Sequence, residues 1–267
     1  MNLRCTPDRK VQSIFSFGIL LALPLLTGCG RHQTIPIFLW HSVGEGQSGD
    51  KYDLTPEEFE GQLKMLQQRG IQAITLQQYF DHLDGKASLP EKAVVLTFDD
   101  GRKCQHSVVM PLLQKYGLVA ETFLVTSFLG ESNETRVVRH DGGRSQTYLI
   151  WPEVLEMAAS GAFIIEAHSV NHVAERNLSP RRQQHEVIDS RIELRRRTGL
   201  PIPVFAYPYG SFGHHTLMAV ERAGFRGAVS VSKGDNSRFQ MTRKSIHRDS
   251  SANFLNELVQ AFGGEPL

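Results

Sequence analysis

Cysteine is nearly absent from this chain. Of its three, Cys5 and Cys29 lie in or at the end of an N-terminal leader, and only Cys104 remains in the body. That excludes an intrachain disulfide framework and leaves the fold to rest on its core. Cys104 has no activating neighbour in sequence and reads as a packed or partly exposed residue of a helix. An excess of one charge is lacking as well, since 29 Lys and Arg stand against 28 Asp and Glu. Near-neutrality argues against nucleic acid, or an anionic membrane surface, as a partner. There is no internal repeat and no low-complexity segment. The apolar run from Ile14 to Leu26 is too short for a comfortable membrane span.

What that run does have is the shape of a secretory signal, with Arg4, Arg9 and Lys10 ahead of it and Leu26-Thr27-Gly28-Cys29 behind it. The ending resembles the lipobox of bacterial lipoproteins, which implies cleavage before Cys29 and lipidation of that Cys. An ordinary signal cut nearby would leave Cys29 unmodified. The expected organisation is a signal peptide over 1–28, a lipidated Cys and short tether over 29–34, and one domain over 35–267. About 240 residues suffice for a single large domain, and an extended tether of that length reaches only about 17 Å. Gly30 stands where many lipoproteins kept in an inner membrane have Asp, so the outer membrane is the expected address in an organism with two membranes.

From Ile35 onward, strand-like and helix-like runs alternate. Ile35–Trp40, Ile71–Thr75, Ala93–Phe98, Val119–Val125, Ala162–Ile165, Pro203–Ala206 and Ala228–Val231 read as strands. Between them, Thr55-Pro56-Glu57-Glu58 opens a helix with a capping box, Gln105–Tyr116 is stopped by Gly117, and Ser179-Pro180 caps a long helix with Val187, Ile188, Ile192 and Leu194 on its apolar side. About seven strands in strict alternation predict a parallel α/β fold, and at this length a closed (β/α) barrel is more economical than an open sheet. Such folds place chemistry on loops at the carboxyl ends of the strands. The one long connection, Ser127–Ile150, is polar and carries Arg136, Arg139, His140 and Arg144. It reads either as a mobile surface loop or as a loop gripping substrate over the site.

Three features fall at strand ends. Val94-Val95-Leu96-Thr97-Phe98 is followed by Asp99-Asp100-Gly101. Asp-Gly is a common turn, but two adjacent acids at the tip of a core strand repel each other and call for a cation or a function. After Phe163-Ile164-Ile165 comes His168-Ser169-Val170-Asn171-His172, two His four apart, a spacing a metal can use. With a carboxylate from another strand end they would leave positions open for water and substrate. The third is Tyr207-Pro208-Tyr209-Gly210, a tight loop that would also serve as a plain structural turn.

Thr97-Phe98-Asp99-Asp100-Gly101, His168-Ser169-Val170-Asn171-His172 and Tyr207-Pro208-Tyr209-Gly210, with Leu39-Trp40-His41 and Trp151 as further landmarks, resemble the polysaccharide deacetylases with a nodulation-protein homology domain, carbohydrate esterase family 4. The resemblance runs from about Ile35 to about Val259. It implies a distorted (β/α) barrel, Asp99 as catalytic base, Asp100, His168 and His172 as metal ligands, and the Tyr209 backbone N–H as oxyanion donor. It implies a divalent metal, zinc first, with cobalt or nickel also possible. The family's usual Arg before the third motif is replaced by Ala206, and Arg243 is the expected substitute, as in the biofilm-polymer branch. The late Leu-x-His motif is Ser245-Ile246-His247 here, so His247 and His41 are both candidates for the acid that protonates the leaving amine.

The implied activity is metal-dependent N-deacetylation of an extracytoplasmic β-linked N-acetylglucosamine polymer, with biofilm exopolysaccharide first and peptidoglycan or chitooligosaccharides as alternatives. The polysaccharide, the membrane reached through the lipid anchor, and exopolysaccharide export machinery are the partners this reading allows. Tyr207, Tyr209, Phe212 and Trp151 would either stack on sugar rings or pack the barrel. A catalytically silent glycan-binding lipoprotein and a non-haem iron oxygenase, which also uses two His and one carboxylate, are the readings from other classes.

Overall fold

Alternate residues of each strand face opposite ways, and in this molecule they divide into two cores. A computed structural model of the chain describes residues 35–45, 51–141, 144–231, 234–248 and 251–262. The leader, Cys29 and the tether lie outside the described residues. The domain is one unit, Thr34–Leu267.

In chain order its elements are β1 (Ile37–Trp40), β2 (Ser42–Val43), β3 (Asp53–Leu54), α1 (Pro56–Gln68), β4 (Gln72–Ala73), α2 (Leu76–Leu83), β5 (Ala93–Asp100), α3 (Met110–Tyr116) and β6 (Ala120–Leu124). There follow β7 (Val138–Asp141), β8 (Arg144–Thr147), α4 (Trp151–Ala159), β9 (Phe163–Ala167), α5 (Pro180–Thr198), β10 (Val204–Ala206), α6 (His214–Arg222), β11 (Gly227–Ser230), β12 (Met241–Thr242), β13 (Lys244–Ser245) and α7 (Ser251–Ala261). Thr55 and Thr75 close capping boxes with Glu58 and Gln78 at the starts of α1 and α2, satisfying N–H groups that have no partner within the helix.

The main sheet runs β12-β11-β10-β9-β6-β5-β1-β13, with β4 beside the start of β5, and its ladders are parallel. Its two end strands are halves of one segment broken at Arg243. The first half pairs with β11 and the second with β1. Arg243 N donates to Ser230 O at 2.9 Å and Ile246 N to Leu39 O at 2.8 Å, so this segment closes the ring. The expected (β/α) barrel is therefore present, nearly closed, with eight parallel strands when the split one is counted once, and seven helices.

Ile37, Val95, Phe123, Val204, Ala206, Val229 and Met241 pack together inside the ring. Phe38, Trp40, Leu96, Phe98, Phe163, Ile165, Phe205 and Ala228 pack under the helices. All eight residues of β5 are buried, as expected of a parallel strand covered on both faces.

Four local expectations are corrected. The Ile71–Thr75 strand is only two residues long, because β4 meets just the start of β5. The helix from Gln105 begins as a π-turn over Gln105–Val109 before α3. Ile192 is exposed, since α5 buries Gln183, Glu186, Val187, Ser190 and Leu194 instead. The long connection is not an open loop but carries the antiparallel hairpin β7–β8.

Candidate active site

Residue parity carries the site. With Val95 inside the ring, Thr97 and Asp99 point inside too; with Ile165 outside, Glu166 and His168 face in; Met241 inside brings Arg243 inward. Asp99, His168 and Arg243 thus meet at the carboxyl end of the barrel. Arg243 grips Asp99 with two hydrogen bonds of 2.7 Å, Nη1 to Oδ1 and Nη2 to Oδ2, and its Nη1 also reaches the Thr97 hydroxyl at 3.3 Å. That hydroxyl donates in turn to Phe38 O at 2.7 Å. The guanidinium lies 5.1 Å from the Phe123 ring centroid and is buried. Burial alone would raise the Asp99 carboxyl, but the charges of Arg243 and His168 outweigh it and hold Asp99 down at about 2. The Asp99 carbonyl is fixed by Gln105 Nε2 at 2.7 Å, and Gln105 by Thr122 at 2.6 Å.

By parity Asp100 belongs outside the ring. It comes to the mouth because β5 ends there with two residues in the left-handed region, Asp100 at φ 71° and Gly101 at φ 74°. A Cβ on Gly101 would also stand 2.8 Å from Leu124 Cδ2, so glycine is needed for space as well as for conformation. Asp100 Oδ1 lies 3.4 Å from His172 Nε2 and 3.8 Å from His168 Nε2, and Arg102 Nε sits 3.7 Å from Oδ2. Burial opposes ionisation of Asp100, yet His172, His41 and Arg102 keep it below the ordinary carboxylate range.

His168 Nδ1 lies 2.8 Å from the Ala206 carbonyl, which assigns the proton to Nδ1 and leaves the Nε2 lone pair facing the two aspartates. Burial, outweighing Asp99, pushes this imidazole down to about 4, so it is neutral at neutral pH, the form a metal binds. Ligand atoms of Asp100, His168 and His172 lie within 4.8 Å of one another, and the buried Asp100 Oδ1 accepts no hydrogen bond. An orphaned carboxylate oxygen beside two imidazole nitrogens fits a divalent cation.

The ligand cluster opens into a cavity of about 460 Å³. Tyr209 lines it, exposed, at φ 58°, with its ring 4.5 Å from that of His172. Gly210 follows at φ 61°, where a Cβ would meet Val231 Cγ2 at 2.8 Å. His41 lines the cavity as well, and burial holds its imidazole below the ordinary range despite Asp100 and Asp99. His247 is not among the lining residues; its ring packs edge-on at 4.7 Å against Tyr52, which does line the cavity and stands 5.0 Å from His41. Of the other aromatic candidates, Tyr207 is buried with its hydroxyl donating to Phe239 O at 3.0 Å, and Trp151 is buried with the Arg197 guanidinium 4.9 Å from its ring. Both pack the fold, and Phe212 lies against Tyr207 at 4.7 Å.

The hairpin supplies a wall the sequence did not define. Arg139, His140, Gln146 and Tyr148 line the cavity together with Phe128, whose ring lies 4.3 Å from the Arg139 guanidinium. Arg136 points elsewhere, into an ion pair with Glu153, and the Arg144 side chain lies outside the described residues. Tyr52, Phe128, Tyr148 and Arg102 are wall residues that sequence reasoning missed, and no local pattern marks them.

A profile for polysaccharide deacetylases matches residues 86–228. YxkH of Bacillus subtilis, named for the same family, is 29% identical over 206 residues, 77% of this chain and 67% of its own. The poly-β-1,6-N-acetyl-D-glucosamine N-deacetylase of Staphylococcus aureus is 23% identical over 190 residues, 68% of this chain and 62% of its own, so the chain spans about two thirds of the length of these relatives. Among solved structures, a de-N-acetylase from Aggregatibacter actinomycetemcomitans shares the fold, with a TM-score of 0.72 at 21% identity over 84% of this chain and 99% of the other.

Proposed function

Since this chain belongs to the polysaccharide deacetylase family, we propose that its carboxylate–histidine site hydrolyses the N-acetyl groups of an extracytoplasmic β-linked N-acetylglucosamine polymer, biofilm exopolysaccharide in the first place. The observation that carries this reading is the Asp99–Arg243 clamp beside Asp100, His168 and His172 in one cavity. Support for the polymer comes from the staphylococcal relative, which is named for poly-β-1,6-N-acetyl-D-glucosamine.

A divalent ion, zinc first, held by Asp100, His168 and His172 would polarise the acetyl carbonyl and lower the pKa of water at the site. Asp99 accepts a proton from the attacking water, and Arg243 fixes the direction from which it does so. A strongly acidic carboxyl is a weak base, so the clamp contributes orientation more than basicity. His168, with its proton committed to Ala206 O, presents a lone pair and stays neutral. The Tyr209 backbone N–H donates to the oxyanion that develops on the acetyl carbonyl oxygen. His41, on the cavity wall, gives a proton to the departing amine, with His247 behind Tyr52 as the less direct donor.

The same proposal places the protein on a membrane through a lipid on Cys29, beside exopolysaccharide export machinery, and on the outer membrane where there are two. Palmitate labelling lost in Cys29→Ser supports the anchor, and labelling retained in that variant contradicts it. The reaction is tested by acetate release with Zn²⁺, Co²⁺ or Ni²⁺ from poly-N-acetylglucosamine, chitooligosaccharides and peptidoglycan. Release from the first polymer, abolished by chelator and by Asp99→Asn, is expected. Metal binding with no release from any of the three would favour the silent glycan-binding alternative.

A further inference from the structure

The loop that carries both histidines is held in an unfavourable shape. Ser169 and His172 are non-glycine residues at φ 68° and φ 53°, where a Cβ crowds the backbone. Inside the loop the His172 N–H donates to Ser169 Oγ at 3.0 Å, and the segment after β6 holds two of its carbonyls, with Thr126 N donating to Ser169 O at 3.2 Å and Ser127 N to Val170 O at 3.0 Å. Its N–H groups are held from α5. Glu186 is buried on that helix's inner face, among Gln183, Val187, Ser190 and Leu194. Its Oε2 accepts the backbone N–H of Val170 at 3.0 Å and of Asn171 at 2.7 Å, and its Oε1 accepts Asn171 Nδ2 at 2.8 Å. Two consecutive N–H groups converging on one oxygen form an anion cradle, filled here by a carboxylate of the chain itself.

We propose that Glu186 is a positioning residue for the metal site: by taking three hydrogen bonds from the segment between the histidines, it sets the separation and direction of His168 and His172. Resting as it does on the deacetylase reading for the ion's purpose, the proposal gives α5 a role besides packing. His168 is also steered by Ala206 O, whereas the His172 ring lies beside Asp100 Oδ1 at 3.4 Å, Tyr209 at 4.5 Å, His168 at 4.9 Å and Phe128 at 6.1 Å, none of them a backbone acceptor, so its placement depends most on the loop backbone. A charged acceptor suits this task because three donors converge on it and charge-assisted bonds are the stronger kind.

The test compares the metal-stripped full chain with Glu186→Gln and Asn171→Ala, measuring Co²⁺ affinity, the visible Co²⁺ spectrum, apo-protein melting, and kcat and KM. Glu186→Gln is expected to weaken Co²⁺ binding about 10- to 100-fold, alter the spectrum and lower kcat with KM within twofold. Asn171→Ala, which loses one bond of three, is expected to weaken Co²⁺ binding by a smaller factor. Ser190→Ala, one turn along the same face, should affect melting alone. If Glu186→Gln fails to fold, Asn171→Ala decides. Co²⁺ affinity and spectrum unchanged in the folded variants would overturn the proposal. The Co²⁺ arm decides it independently of acetate release, whose absence in the wild type would instead contradict the deacetylase reading.

Discussion

Arg136 and Arg243 each grip a carboxylate in the same two-pronged way, and their surroundings make them different devices. Arg136 holds Glu153 with bonds of 2.8 Å from Nη1 and Nη2, and Arg243 holds Asp99 with bonds of 2.7 Å. Burial alone would raise both carboxyls, and the arginine turns both below their ordinary range. Glu153, however, also accepts the Ile150 N–H at 3.1 Å at the start of α4, and Arg136 also donates to Tyr148 O and Asn133 Oδ1. That pair fastens the hairpin connection to a helix. Asp99 instead faces His168 Nε2 at 3.7 Å and lines the cavity. A bidentate ion pair is therefore not evidence of chemistry; what counts is whether the carboxylate still has somewhere to act.

The largest expected effect breaks the Arg243–Asp99 pair. Arg243→Ala should lower kcat on the order of 10²-fold or more and cost about 3 kcal/mol of stability, because it strands a buried carboxylate. Turnover left intact would sink the orienting role. Arg243→Ala combined with Ala206→Arg sharpens the point. Ala206 packs inside the ring with its carbonyl on His168, at the position where the resembling family has its arginine, so part of the lost kcat should return. Next in size are two histidines that share a residue type and differ in placement. His41→Gln should cost on the order of 10²-fold in kcat and His247→Gln less than about tenfold, since only His41 reaches the cavity; the reverse order in steady-state kinetics would exchange their roles. Arg136→Ala then tests the Arg136–Glu153 pair. It should lose about 2 kcal/mol in a denaturant titration with kcat within about twofold, and a large fall in kcat would mean the hairpin is held for catalysis.

How much of this was legible follows from which interactions are local. The run Val94 to Asp100 announces a buried strand with acids at its tip, and its alternation already puts Asp99 inside a ring. The separation of His168 and His172 is equally local. The contact of Arg243 with Asp99 spans 144 residues and has no periodic signature; only the missing arginine at Ala206, set against a resembling family, pointed to it. The hairpin β7–β8 escaped because Val138–Asp141 and Arg144–Thr147 have a single apolar residue, Val138, between them, and strands are read from an apolar face. Ile192 was misassigned because apolar type was counted where α5 in fact buries Glu186 and Gln183. A charged residue on a helix's buried face is legible only once the three donors that hold it are known.

Glu186 and Glu175 give the comparison its mildest form: two buried carboxylates in one neighbourhood, only one of which is supplied with donors. The oxygens of Glu175 have no hydrogen-bond partner, and burial first, then the charge of Glu186, pushes its carboxyl up to about 9. A raised folded-state value means that the folded chain keeps a proton the unfolded chain gives up near the ordinary 4.5. Stability from this group is therefore full below that pH, declines as pH rises, and is lost by the time pH passes about 9. Glu175→Gln removes the titration while keeping the shape. The variant should match the parent near pH 4.5 and gain on it steadily, by about 1.4 kcal/mol per pH unit to about 6 kcal/mol near pH 9. Urea unfolding midpoints across that range measure the gap. A gap that stays constant with pH would mean that Glu175 is ionised in the folded chain over this range, against the direction that burial and Glu186 give it.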